Sequence, residues 1–300
     1  MGYQEGSKWE AFESIDIVSL TNTNDQTIIT NTTTKEDFKL KFGCQSKVTG
    51  LFKTQLADGI MGAENDSDSF WMQLYQHGII HEKKFSLCFS RGIRASKIGV
   101  QAGAITFGGV DERFNKIDNK ESVMEYAQNI NDKGWYTVYV NAIILKSNNN
   151  DKFHGNITID VDIHQLNYDG IIVDSGTTNT YLPKILKKPF MKAWMNMTGL
   201  GDKGYIHKSQ IIGDEVKYLT SLPTIIFQLK HASYNTNDPQ LTTTATNKIP
   251  KDIFVEMPPS NYLEYARSKE LYEIRVDMIE SNGGVLGANF IMGESFLSKF

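Results

Sequence analysis

Apolar and polar residues alternate along much of this chain, and where they alternate the period is two. Ile15-Asp16-Ile17-Val18-Ser19-Leu20 and Phe38-Lys39-Leu40-Lys41-Phe42 read as half-buried strands, apolar on one face and wet on the other. Phe85-Ser86-Leu87-Cys88-Phe89, Ala104-Ile105-Thr106-Phe107 and Tyr136-Thr137-Val138-Tyr139-Val140 follow the same rule. Helical spacing is rarer. Ser69 to Gln76 predicts a short helix closed by His77-Gly78, and Lys184 to Met195 predicts another. The pattern predicts an all-β protein. Two Thr/Asn-rich segments, 21–36 and 232–248, predict long surface loops. The polar stretch from Gln128 to Gly134 predicts a boundary, dividing 1–128 from 129–300.

One stretch breaks the alternation. Ile171-Ile172-Val173-Asp174-Ser175-Gly176-Thr177-Thr178-Asn179 runs from β-branched residues straight into an aspartate and then into small residues. Val and Ile favour a buried strand, whereas Asp followed by Ser and Gly favours a tight turn. The carboxylate is thus delivered to the end of a buried strand, a costly place for a charge unless hydrogen bonds meet it. The tetrapeptide alone is also compatible with a plain turn after a strand.

The bulk numbers narrow the function classes. Three hundred residues, 40% hydrophobic and 22% charged, suit one large globular domain or two lobes. A formal charge of −4 and a pI near 5.9 argue against nucleic-acid binding. No apolar run reaches the length of a membrane span. The first residues lack the apolar core of a signal peptide, and Gly6 stands where a myristoylation signal needs Ser or Thr. Asn31, Asn65, Asn156 and Asn196 each open an N-x-[Ser/Thr] sequon, by chance or as glycan acceptors. Cys44 and Cys88 are open between two thiols and a disulfide.

Other chemistries fail on spacing. His81-Glu82 begins like a zincin, but Phe85 stands where the second His is needed. Gly293-Glu294-Ser295 lacks the final Gly of a nucleophile elbow. The six His and two Cys form no metal-ligand cluster in sequence, so no metal or cofactor is expected.

With these residues in view, the chain resembles the pepsin-like aspartic proteases. Those enzymes carry a strand ending in Asp-[Thr/Ser]-Gly-[Thr/Ser] once per lobe, and Asp174-Ser175-Gly176-Thr177 looks like the second copy. Tyr3, Gly6 and Ser7 look like the flap. Ala57-Asp58-Gly59-Ile60-Met61-Gly62 is similar to the hydrophobic-hydrophobic-Gly element of the first lobe, and Ile291-Met292-Gly293 to that of the second. Phe107-Gly108-Gly109, Gly134-Trp135-Tyr136 and Leu222-Pro223-Thr224 fall between them in the family's order. Asp174 to Asn179 also resembles the phosphate loop of actin-like ATPases. That loop lies near the N-terminus, however, and Ser281-Asn282-Gly283-Gly284 lacks the acidic residue expected beside its partner loop.

The resemblance implies a bilobal fold, first lobe incomplete, and an endopeptidase whose water is activated by an Asp dyad. Of that dyad Asp174 is the one member in this chain. It implies Tyr3, Gly6, Ser7, Gly176, Thr177 and Thr178 as substrate-binding residues and a peptide or protein as substrate. It further implies a monomer when complete and a secreted, lysosomal or vacuolar location. Related secreted proteases carry Cys in segments like those of Cys44 and Cys88, which allows a disulfide. The chain starts in the flap and stops after Ile291-Met292-Gly293, so a truncated protein is expected, inactive taken alone. The alternative is a catalytically inactive peptide-binding or inhibitory relative.

Overall fold

The computed structural model describes residues 7–20, 36–54, 58–89, 103–110, 116–117, 120–121, 125–131, 134–148, 155–201, 205–211, 213–232 and 251–291. Contacts divide the chain into two compact units. The first takes residues 1–86 and 106–110, the second 87–105 and 111–300.

Unit 1 is built on one long hairpin. β1 (Trp9–Leu20) and β2 (Glu36–Val48) pair antiparallel from Trp9↔Val48 to Leu20↔Glu36, with a bulge between Glu10 and Ala11. Directly opposed residues share a face, so Val18, Asp16, Ser14 and Phe12 stand with Phe38, Leu40, Phe42 and Cys44. Phe38 alone of these is fully buried. Its ring lies 6.3 Å from that of Phe70 and 5.5 Å from that of His77. Phe12, Ile15 and Ile17 remain exposed.

The helix predicted after Ser69 is α1 (Phe70–Gln76). It docks on β2 through one side chain. Gln73, buried, accepts the Lys41 N–H at 2.8 Å and donates to Lys41 O at 2.9 Å and Asp68 O at 2.8 Å. The amide thereby serves the free edge of β2 as a neighbouring strand would. β3 (Phe85–Phe89) and β4 (Gly103–Phe107) form a two-stranded sheet. Phe85 packs against Trp71, and Phe107 meets Phe70 edge-on at 5.3 Å. A small pair, β5 (Lys116–Ile117) with β6 (Lys120–Glu121), follows in the second unit's span.

The rest of unit 2 runs β7 (Thr137–Val138), β8 (Val140–Lys146), β9 (Asn156–Thr158), α2 (Ile163–Leu166), β10 (Ile171–Val173) and β11 (Thr180–Pro183). After a 3-10 turn at Lys184–Leu186 come α3 (Lys187–Thr198), β12 (Tyr205–His207), α4 (Glu215–Thr220), β13 (Thr224–Leu229) and β14 (Ile253–Met257). The described chain closes with α5 (Pro259–Tyr262), β15 (Leu263–Ala266), β16 (Leu271–Ile274), β17 (Val276–Glu280), β18 (Gly284–Leu286) and α6 (Ala288–Ile291). These strands make three sheets, ordered β17-β11-β18-β10-β7, β14-β13-β8-β9 and β12-β16-β15. The residues from 125 onward bond into this unit: Gln128 N–H donates to Lys230 O, and Asn129 bridges to Val138.

β13 is buried at five of its six positions because β8 and β14 flank it on both sides. Its neighbour β8 buries Val140, Ile143 and Leu145. Helix α3 adds Phe190, Ala193 and Trp194 to the same core. Trp194 stacks on Phe190 and meets Tyr262 edge-on, while Phe227 meets Phe290 edge-on at 5.2 Å. The buried Tyr262 hydroxyl donates to Pro223 O at 2.7 Å, which satisfies the one polar atom the ring brings inside. Burial holds that phenol well above its ordinary pKa.

Candidate active site

β10 lies between β18, parallel (Ile172↔Val285, Val173↔Leu286), and β7, antiparallel (Ile172↔Thr137). Pairing on both edges, with Ile171 buried and Ile172 and Val173 half-buried, suits this β-branched run. It also carries the chain to Asp174 with no freedom left. The Asp174 N–H makes the last bond of the ladder, to Leu286 O at 3.0 Å, and the loop then turns away.

The loop binds its own carboxylate. Gly176 N–H donates to Asp174 Oδ1 at 2.8 Å, and the Thr177 hydroxyl donates to Asp174 Oδ2 at 2.6 Å. Each oxygen is thus held once and keeps a lone pair to offer. Two short bonds, one to each oxygen, fix the plane of the carboxyl group. At Gly176 a Cβ would stand 3.2 Å from Oδ1, so a larger residue there would crowd the group being held.

The loop in turn rests on the segment after β18. Ala288 N–H donates to Thr177 O at 2.7 Å and Asn289 N–H to Thr178 O at 3.3 Å. A Cβ at Gly287 would lie 2.2 Å from Asn179 O and 2.6 Å from Thr177 O, so this crossing of two backbones requires glycine. Asn289 is buried and fully used. Its Oδ1 accepts from the Thr180 hydroxyl at 2.8 Å, its Nδ2 donates to Arg275 O at 2.7 Å, and its own carbonyl accepts from Asn261 Nδ2 at 3.2 Å.

Gly287, Asn289 and Thr180 were not among the residues expected from sequence. The signal was present, since Val285-Leu286-Gly287 is itself hydrophobic-hydrophobic-Gly. The expectation that Ile291-Met292-Gly293 fills this place is corrected here: the strand beside β10 is Gly284–Leu286, and Ile291 ends α6. Met292 and Gly293 lie outside the described residues.

Of the other expected site residues, Gly176, Thr177 and Thr178 share the Asp174 loop. Thr178 is exposed. Ser7 is buried beside Gly50 at the start of the unit 1 hairpin, and Tyr3 and Gly6 lie outside the described residues. Cys44 is an exposed thiol on β2 and Cys88 a half-buried thiol on β3, and the structure joins them by no disulfide. Past the loop, Asp277 on β17 is opposed to Tyr181 on β11 and hydrogen-bonded to Asn179. Desolvation raises the Asp277 carboxyl above its ordinary value, against the pull of Asn179 and Arg275. Arg275 itself is held by Glu264 at 2.5 Å and Glu273 at 3.2 Å.

No helix among the described residues is long and apolar enough to cross a membrane. No characterised protein matches the chain in a direct comparison of sequences. The family profile of the eukaryotic aspartyl proteases, however, matches residues 2–297, nearly the whole chain. A match over that length joins the strand-borne aspartate, its glycine and its hydroxyls to one lineage: the chain belongs to the pepsin-like eukaryotic aspartyl protease family, with that family's all-β fold.

Proposed function

We propose that Asp174 is one of the two carboxylates of an aspartic endopeptidase. The observation that carries this is the carboxylate itself, delivered by a strand paired on both edges and held on both oxygens by Gly176 and Thr177. In the proposed reaction two carboxylates share one proton, because like charges so close do not both ionise. The ionised one takes a proton from the bound water, whose oxygen attacks the peptide carbonyl carbon. The protonated one gives its proton to the carbonyl oxygen. The carboxyl that took the water's proton then gives it to the amide nitrogen as the C–N bond breaks, and a hydroxyl of the tetrahedral species returns its proton to the other carboxylate. Asp174, Gly176, Thr177 and Thr178 form this chain's share of the site.

A second reading has its own observation. Asp174-Ser175-Gly176-Thr177 is the one Asp-[Ser/Thr]-Gly-[Ser/Thr] tetrapeptide in residues 1–300. A relative with a single such carboxylate would bind peptides without cutting them. Two assays on one preparation separate the readings: hydrolysis of a denatured protein at acidic pH, and retention on an immobilised peptide bearing a hydroxyl in place of the scissile carbonyl. The peptidase reading expects turnover that falls by at least about a thousandfold in Asp174→Asn, the scale of losing a required acid–base group. Retention without turnover in the parent protein would overturn it in favour of the binder.

A further inference from the structure

The fold treats the sequons differently. Asn31 lies outside the described residues. Asn65 is half-buried just ahead of α1, where the carbonyl of its neighbour Glu64 accepts from the Trp71 indole at 3.1 Å. Asn196 stands in the last turn of α3. The hydroxyl of its partner Thr198 is committed to closing that helix, donating to Trp194 O at 2.8 Å and accepting from Leu200 N–H at 3.0 Å.

Asn156-Ile157-Thr158 is different in each respect. These three residues are β9, the edge strand of the sheet β14-β13-β8-β9. The backbone is extended. Ile157 turns inward against the core, while Asn156 and Thr158 are both exposed on the other face. Among the described residues neither of those two side chains takes part in a hydrogen bond. The amide to be modified and the hydroxyl two residues on, which a sequon must present together, therefore stand side by side and uncommitted.

We propose that Asn156 carries an N-linked glycan. The donor class is a lipid-pyrophosphate-linked oligosaccharide. Asn156 Nδ2 forms the new bond to C1 of the first sugar, the C1–O bond to the pyrophosphate breaks, and the pyrophosphate leaves with the electron pair while the amide gives up one proton. The fold accommodates the product, because the sugar extends into solvent from the exposed face of the edge strand. The inference goes beyond the peptidase reading and does not depend on it.

The test is peptide mass spectrometry of the full-length protein from its native cells, after release by peptide-N-glycosidase in heavy-oxygen water. Release converts a glycosylated Asn to a heavy-labelled Asp. The expected result is the label at Asn156, with complete loss in Thr158→Ala and retention in Thr158→Ser, and no label at Asn65. A residue-156 peptide found at its unmodified mass overturns the proposal, as does a label elsewhere that leaves Asn156 bare. Neither readout involves catalysis, so failure here is distinct from failure of the peptidase reading.

Discussion

Two of the chain's hydrophobic-hydrophobic-Gly tripeptides, one in each unit, are alike in sequence and opposite in circumstance. In unit 2, Val285-Leu286-Gly287 runs alongside β10, with Leu286 fully buried and Gly287 pressed against the carbonyls of Asn179 and Thr177. In unit 1, Ile60 is 54% exposed, Met61 48% exposed, and nothing stands within 4 Å of a Cβ placed on Gly62. The difference is a partner. Leu286 is buried because an Asp-Ser-Gly-Thr loop and its strand lie beside it. Ile60 has no such neighbour among the described residues. The tripeptide is therefore half of a contact, and it acquires structural meaning from the other half.

The comparison can be broken most decisively at the glycines. Gly287→Ala drives a methyl into two carbonyl oxygens that cannot retreat without opening the loop. It should cost about 3 kcal/mol or more, lowering Tm by roughly 6–12 °C. Gly62→Ala should leave Tm within about 1 °C. Equal effects in thermal melts would abolish the distinction. Truncation of the apolar residues tests the same point. Leu286→Ala should lose about 2–5 kcal/mol in denaturant titration, whereas Met61→Ala should stay within about 0.5 kcal/mol.

Smaller effects sharpen the picture of unit 2. Thr180→Val removes the hydroxyl that donates to Asn289 and leaves a buried acceptor unmet, at a cost of about 1–3 kcal/mol. Amide exchange at Ala288 and Asn289 should speed up with it. The smallest effect is at Asp277, whose raised carboxyl pKa means that ionisation in the folded state is penalised by burial. Stability from this group is full below the ordinary carboxylate value and declines as pH rises through the raised one. Asp277→Asn should therefore melt a degree or two above the parent near neutral pH, about the scale expected for a partly exposed group. Near pH 3 it should match the parent. A Tm difference independent of pH would exclude this account.

Much of the architecture was legible because it is local. Period-two alternation found β1 to β4 and the region of β7 and β8, and the stop at His77-Gly78 found the C-terminal end of α1, whose first residue is Phe70 and not Ser69. The Asp174 loop was legible too, since a strand of Ile-Ile-Val entering Asp-Ser-Gly-Thr leaves few alternatives. The second hydrophobic-hydrophobic-Gly element was misplaced because several tripeptides of this unit fit the same pattern, and the choice is made by a strand more than a hundred residues upstream. Asn289 was invisible for a related reason. A single Asn in Gly-Ala-Asn-Phe-Ile looks neutral until Thr180 is folded against it. Helices as short as α2, α5 and α6 span barely one turn, too little for a 3.6-residue period to register.

The link between Thr180 and Asn289 also sets a schedule. Their hydrogen bond joins positions 109 apart in sequence, and β10 pairs with β18 over a comparable span. A chain emerging from the ribosome at about 5–20 residues per second displays Asp174 several seconds before Gly287 exists to brace its loop. Parallel pairing at such separation is slow even once both strands are available. The carboxylate thus acquires its fixed geometry near the end of synthesis of this unit, and every nascent chain shorter than about residue 290 carries the aspartate without its setting.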